Sequence, residues 1–442
     1  MPTTFQPYQP DQSFLLPPSP RDWLPEGHLA YFISDVVERL DLRKFYQRYE
    51  GDGRRNSPFE PRMMAKIVLY GYATGVRSSR KIARKVNEDV AFRVLAAGNF
   101  PAHRTIAEFR QMHLKELQDL FVQVVRLAQE LGILKVGTVA IDGSKVKASA
   151  SKHKAMSYGR MKEQEEKLRG EIAQMLAEAA AIDAKEDQLY GPDSPGEELP
   201  EELRRREDRL AKIEAAKKRL EERQAEEDRS RGRKPGDGGK SPGGGRRFKR
   251  DFGVPEDKAQ DNFTDPESRI MKSSSEGFVQ GYNAQLAVEE SSQLIVTTGV
   301  TQNAADNGEL IGLVEKVKGI SGQAPAVILA DAGYKGEKNF EQLESKKIDG
   351  YISLGREGKQ SSFKPAEDSP ATGRMYQKLQ SETGKKRYKR RKAIVEPVYG
   401  WIKEALGFRR FSFRGLAKVS AEWDLVCLAA NLKHMHALIA LI

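Results

Sequence analysis

The 442-residue chain has one cysteine, Cys427, so a disulfide framework within it is excluded. That cysteine lies in the apolar stretch Leu425-Val426-Cys427-Leu428-Ala429, where a buried structural thiol is expected rather than a nucleophile. The six histidines are scattered, with no Cys/His cluster of metal-binding spacing; His434 and His436 read as surface or core residues of a C-terminal helix. No run of about 18 uninterrupted apolar residues occurs, because Lys433 breaks the one near candidate, and this argues against a membrane-spanning helix. The segment Met1-Pro2-Thr3-Thr4-Phe5-Gln6-Pro7 lacks the basic-then-apolar order of a secretory signal. These absences lead to the expectation of a cytoplasmic protein with no membrane partner.

What the chain does have is positive charge, unevenly placed. There are 74 Lys+Arg against 63 Asp+Glu, a formal net charge of +11. The run Lys385-Lys386-Arg387-Tyr388-Lys389-Arg390-Arg391-Lys392 is almost unbroken, and Arg409, Arg410, Arg414 and Lys418 follow it. A basic stripe of this kind is the footprint of a phosphate-backbone binder, since affinity for DNA comes largely from counterion release. Beside it stand three acids in distinctive contexts. Asp142 follows the apolar run Thr138-Val139-Ala140-Ile141 and precedes Gly143-Ser144. Asp331 follows Val327-Ile328-Leu329-Ala330 and precedes Ala332-Gly333-Tyr334. Glu396 sits in Ile394-Val395-Glu396-Pro397-Val398-Tyr399-Gly400, directly after the cationic run. Two carboxylates at the ends of buried strands and a third from a helix form a hard-oxygen donor set. Such a set suits a pair of divalent cations acting on an in-line phosphoryl displacement.

The length allows two or three domains. Residues 1–25 are Pro- and Gln-rich and read as an irregular arm. Residues 26–135 show helical spacing, as in Leu29, Phe32, Ile33 and Val36, with breaks at Gly51-Asp52-Gly53, Gly75 and Gly98-Asn99-Phe100-Pro101. Within them a helix opens at Ser78-Ser79 with a basic face, and another begins near Arg104, with Thr105 as N-cap and Glu108 three places on. That pair reads either as a helix-turn-helix DNA reader or as a bundle packing on the core. Strands are expected at 138–142, 282–288, 293–300, 327–331 and 348–354, with helices at 306–317 and 337–343. This succession gives an α/β mixed sheet flanked by helices over residues 136–442. It is interrupted by a helical-hairpin insertion at 155–230 and a basic, Gly-rich linker at 231–260.

The quoted segments, in this order, resemble the DDE-type transposases of bacterial insertion sequences, the branch with a ribonuclease-H-like core and an InsH-like helical N-terminal domain. Arg104-Thr105-Ile106-Ala107-Glu108-Phe109-Arg110, Thr264-Asp265-Pro266-Glu267-Ser268-Arg269 and Gly281-Tyr282-Asn283-Ala284-Gln285 belong to the same resemblance. It implies that Asp142, Asp331 and Glu396 form the catalytic triad and hold two Mg²⁺ (or Mn²⁺) ions. It implies cleavage at element ends and strand transfer into target DNA. The partners would be double-stranded DNA, as terminal inverted repeats and target, and a homodimer or larger assembly in the active complex. A nuclease without strand transfer and an inactive DNA-binding repressor from a decayed element are the competing readings. The family's Tyr, Arg, Glu, Lys pattern is kept only in part: Lys403 stands seven after Glu396, Lys392 takes the Arg position, and Tyr388 is one place off. Lys403, Lys392, Arg391, Tyr388, Arg409 and Arg410 are the DNA-contact candidates. Asp265 reads as a turn former, Asp306 as a helix N-terminal acid, and Tyr399 and Trp401 as core.

Overall fold

In the computed structural model, residues 19–50, 57–190, 201–237, 249–273, 276–355 and 368–440 are described; the N-terminal arm to residue 18, the break at Gly51-Asp52-Gly53 and the Gly-rich stretch at 238–248 lie outside them. The N-terminal region is helical: α1 (Leu29–Arg39), α2 (Arg43–Gln47), α3 (Pro61–Ala73), α4 (Ser79–Glu88), α5 (Val90–Leu95), α6 (His103–Met112) and α7 (Leu114–Glu130). α3 starts with Pro61 in its first turn and the Glu60 carboxylate accepting from the Met63 amide at 2.7 Å, a side-chain cap on an otherwise unpaired N–H. Thr105 is not a cap: α6 begins two residues earlier, after Ala102. Its Ile106, Phe109 and Arg110 are buried, and the Arg110 guanidinium donates to Arg77 O, Tyr72 Oη and Ser412 Oγ. This part of α6 therefore packs inward, whereas Arg80, Lys81 and Arg84 on α4 are exposed.

Eight strands follow: β1 (Thr138–Lys147), β2 (Ala155–Ser157), β3 (Gln260–Asn262), β4 (Arg269–Ser273), β5 (Gly277–Glu289), β6 (Ile295–Thr301), β7 (Val327–Ala330) and β8 (Asp349–Ile352). Six form one mixed sheet in the order β4-β5-β1-β7-β8, with β6 on the same edge of β5 as β4. β1 runs antiparallel to β5 and parallel to β7, and β7 is parallel to β8. The sheet is flanked by α10 (Leu310–Ser321), α11 (Glu337–Ser345), α12 (Pro370–Gln380), α13 (Glu382–Gly400) and α14 (Leu416–Ile439), with the insertion α8 (Tyr158–Tyr190) and α9 (Glu201–Ser230) between β2 and β3. The mixed sheet, its helices and the helical N-terminal region match the expected ribonuclease-H-like architecture.

Two differences from the sequence reading bear on function. β1 does not stop at Asp142; residues 143–147 continue it by pairing with residues 281–285 of β5, while its other neighbour β7 ends at Ala330. Asp142 is therefore internal to a ten-residue strand, at the point where one side of that strand loses its partner. The hairpin of β4 and β5 and the small β2–β3 pair were also absent from that reading. The insertion folds as expected, as a hairpin whose seam packs Met161 and Leu168 against Ile213, Ala216 and Leu220.

α14 is buried almost all round from Ala421 to Leu432 and packs at once on α3, α7 and β6. Its polar groups are paired in the interior. Asn431 bonds both the N–H and the C=O of Ile295, Trp423 Nε1 donates to Gln285 O, and Asp424 accepts from Thr298 and Gln118. One helix thus serves as core for the sheet and for the N-terminal helices.

Candidate active site

The parallel register of β1 and β7 pairs Thr138 with Val327 and Ile141 with Ala330, so the next step brings Asp142 beside Asp331. Asp331 leaves the strand in extended conformation and caps a short turn, its Oδ1 accepting from Gly333 N at 2.8 Å. Asp142 Oδ1 accepts from Gly143 N at 2.8 Å, and Asp142 Oδ2 faces Arg391 Nη1 of α13 at 3.4 Å. Burial pushes the Asp142 carboxyl up to about 6, opposed by Arg391 and assisted by the negative charge of Asp331 and Asp306. The Asp331 carboxyl is raised too, again chiefly by burial.

A third carboxylate joins this pair, from Asp306 in the turn before α10. Asn283 Nδ2 at 2.6 Å, Gln285 Nε2 at 2.7 Å and Lys145 Nζ at 3.2 Å all reach Asp306 Oδ1. Gln285 is itself fixed by the Tyr334 hydroxyl. Space for this acid is made by two glycines. A Cβ on Gly143 would sit 2.8 Å from Asp306 Oδ1, and one on Gly333 would sit 2.9 Å from both Asp306 Oδ2 and Asp331 Oδ1. Sequence reading treated Asp306 only as a helix-start acid. The available signal was the glycine after each catalytic-type aspartate, together with the polar Asn283 and Gln285 inside an otherwise apolar strand.

α13 covers one face of this arrangement. Ser381 caps it, accepting from Gly384 N at 3.0 Å, and the cationic run forms its first half. Pro397 lies inside this continuous helix, and a π-helical turn at Trp401–Ala405 follows it. Proline cannot donate to the Ala393 carbonyl; Gln293 Nε2 does so instead, at 3.0 Å. Arg391, Ile394, Val395, Val398 and Tyr399 take the inward positions. The Tyr399 hydroxyl bonds the carbonyls of Asp142 at 2.9 Å and Ala284 at 2.8 Å, which ties the helix to the strand beside the acid. Lys403 Nζ bonds Ser144 Oγ at 2.6 Å, and burial lowers the Lys403 ammonium.

Glu396 is exposed on the flank of α13, and the structure does not gather it with the two aspartates. Among the described residues no group of three or more His, Cys, Asp or Glu side chains is arranged to hold a metal. Glu396 does share a helical ridge with Tyr399 and Lys403, whose side chains reach β1 at Asp142 and Ser144. Of the DNA-contact candidates, Tyr388 and Arg391 line a cleft of about 450 Å³ with Asp331, Gly333 and Lys335. Lys392 is exposed on α13; Arg409 is exposed and paired with Glu404. Arg410 is exposed too, but its guanidinium bonds the carbonyls of Ala148 at 3.0 Å and Ala150 at 3.5 Å, so it also fastens the C-terminal segment to the end of β1. Asp265 is buried and accepts from the Tyr282 hydroxyl and Gly415 N, a structural role.

Partly buried carboxylates with oxygen-only donors, three of them facing Arg391 and Lys145, have the chemistry that hard divalent cations satisfy. No helix among the described residues is long and apolar enough to cross a membrane. No curated protein and no solved structure matches the chain. Two protein families do: residues 251–432 match the transposase DDE domain, and residues 18–112 match the transposase domain DUF772. The first match contains Asp331 and Glu396, while Asp142 lies between the two matched stretches. The chain belongs to the DDE transposases, a family of generally phosphoryl-transferring, divalent-metal-using, DNA-binding proteins, and carries the DUF772 helical region at its N-terminal side.

Proposed function

We propose that this chain cuts DNA at the ends of an insertion sequence and joins the freed 3′-hydroxyl to target DNA. The observation carrying this reading is the side-by-side placement of Asp142 and Asp331 by the β1–β7 register, with Asp331 lining a cleft beside Lys335, Tyr388 and Arg391. Asp142 and Asp331 would hold Mg²⁺ or Mn²⁺, and Glu396, exposed on the flank of α13, would join them by turning toward the pair. When bound, the metal supplies charge stabilisation to attacking and leaving oxygens of the scissile phosphate. Arg391 places a fixed positive charge beside Asp142 and faces the cleft, where a phosphodiester would add further negative charge. Lys403, half-buried on Ser144, holds a second cation two residues along β1 from Asp142. Lys335 and Tyr388 line the same cleft, where the Lys335 ammonium would face a DNA backbone. The inactive-repressor reading has less support, because Asp331 lines a formed cleft and the β1–β7 register sets Asp142 beside it.

The test is Mg²⁺-dependent cleavage and strand joining of an oligonucleotide bearing the element's own flanking repeat, with wild type and Asp331→Asn. Joined product from wild type alone supports the proposal. Cleavage without joining supports a nuclease, and binding without chemistry, on a paired-end substrate as well, supports a repressor.

A further inference from the structure

The most exposed of the large apolar side chains among the described residues is Phe278, 67% exposed at the start of β5. The first residues of β5 pair only with β4, so this hairpin projects past the end of β1, which pairs no further than Lys147 with Gly281. Phe278 forms the ridge between two cavities. One, of about 370 Å³, is lined by Lys147, Lys152, His153 and Arg410; the other, of about 660 Å³, lies at the root of the helical hairpin and includes Arg231, Lys258 and Arg269. Together they present seven Lys/Arg side chains against four carboxylates. Each of those carboxylates is already in an ion pair: Glu227 with Arg231, Glu256 with Lys258, Asp261 with Arg219 and Arg223, and Glu276 with Lys147. Lys152, Arg269 and Arg410 have no ion-pair partner among the described residues, which leaves the surface around the aromatic ring cationic.

An exposed ring between cationic hollows has the composition of a stacking platform. Any base offers a π-face to the ring, and the surrounding charges take the backbone. Position supports the same partner. Asp142 lies opposite Leu286 in the β1–β5 register, and Phe278 is eight residues further along β5, roughly 26 Å at about 3.3 Å per residue. That is about eight base pairs of duplex at about 3.4 Å each. Lys403 on Ser144 and Arg410 beside Lys147 lie along the intervening strand.

We infer that the β4–β5 hairpin is a second DNA contact, where an unpaired base of the bound DNA stacks on Phe278 while Lys152, Arg269 and Arg410 hold its flanking phosphates. The inference rests on the proposed action on DNA, but it concerns a surface distant from the carboxylates. It is tested by fluorescence anisotropy in the absence of divalent cation, comparing a blunt duplex with the same duplex carrying a short single-stranded tail. A 2-aminopurine in the tail reports stacking by quenching.

Wild type is expected to bind the tailed DNA about tenfold tighter than the blunt DNA and to quench the probe. Phe278→Ala is expected to lose both effects while binding the blunt duplex as wild type does, and Phe278→Trp to keep both. Equal binding of the two DNAs by wild type, or an undiminished preference in Phe278→Ala, overturns the inference while leaving the transposase reading intact. Absence of DNA binding by wild type overturns both. If sedimentation shows a DNA-free dimer that Phe278→Ala abolishes, the patch is an interface between copies, and the inference falls.

Discussion

Replacing Asp142 by asparagine should make the metal-free protein more stable. Burial raises this carboxyl from its ordinary value near 3.8 to about 6. Between those two values the folded state retains a proton that the unfolded state has released, so stability falls as pH rises through that window. A displacement of about two pH units corresponds to about 3 kcal/mol lost at neutral pH. That figure is an upper bound for the variant, since asparagine also deprives Arg391 of its ionic partner at 3.4 Å. The net expectation for Asp142→Asn at pH 7.5 without divalent cations is a gain of about 1–3 kcal/mol, read as a rise of a few degrees in melting temperature. The gain should shrink as the pH is lowered from 7 to 4, where wild type becomes protonated. Added Mg²⁺ should raise the wild-type melting temperature above about pH 6 and leave the variant unmoved. Scanning calorimetry over pH 4–8 with and without Mg²⁺ measures all of this. A variant that melts at or below wild type throughout that range would refute the argument that the buried acid is held at a cost.

Gly333→Ala and Gly143→Ala should each fold yet lose most Mg²⁺-induced stabilisation and DNA cleavage, because the added Cβ strikes the Asp306 and Asp331 carboxylates at Gly333, and the Gln285 amide and Asp306 at Gly143. Unchanged Mg²⁺ response would show that Asp306 does not shape the site. Asp306→Ala removes the acceptor shared by Asn283, Gln285 and Lys145, of which Asn283 still reaches Asn303 O, and should cost about 2–4 kcal/mol in chemical denaturation, with Asp306→Asn losing less. Equal stability of both variants with wild type counts against this network. Gln293→Ala should cost about 0.5–1.5 kcal/mol, held to that range by the exposure of the bond, and should speed amide exchange around the Pro397 turn of α13. Exchange unaltered there would mean that solvent satisfies the Ala393 carbonyl equally well.

Asp142 and Asp331 were legible in the sequence because each ends a short apolar run, and runs of that kind become adjacent central strands. The extent of β1 was not, since residues 143–147 alternate only weakly and are strand because β5 supplies their partners. Asp306 was hidden for a related reason. Its importance comes from Asn283, Gln285 and Lys145, which converge on it from two strands, and local sequence carries only the two glycines that leave it room. Glu396 was found by resemblance. Its helix runs on through Pro397, and Gln293, about a hundred residues earlier, donates to the carbonyl that proline leaves unpaired. The helical character of the insertion was readable from composition, whereas its seam of Met161, Leu168, Ile213, Ala216 and Leu220 was not read.

α14 packs on α3, α7 and β6 together, which has a consequence for how the protein comes into being. Helices near the amino end and strands in the middle of the chain both keep an open apolar side until Val419, Trp423, Val426 and Leu432 arrive to fill it. A ribosome releasing this polypeptide from its N-terminal end would therefore expose two unfinished halves for most of synthesis. An interruption anywhere before residue 416 should yield an insoluble product rather than a fragment that still grips DNA without cutting it.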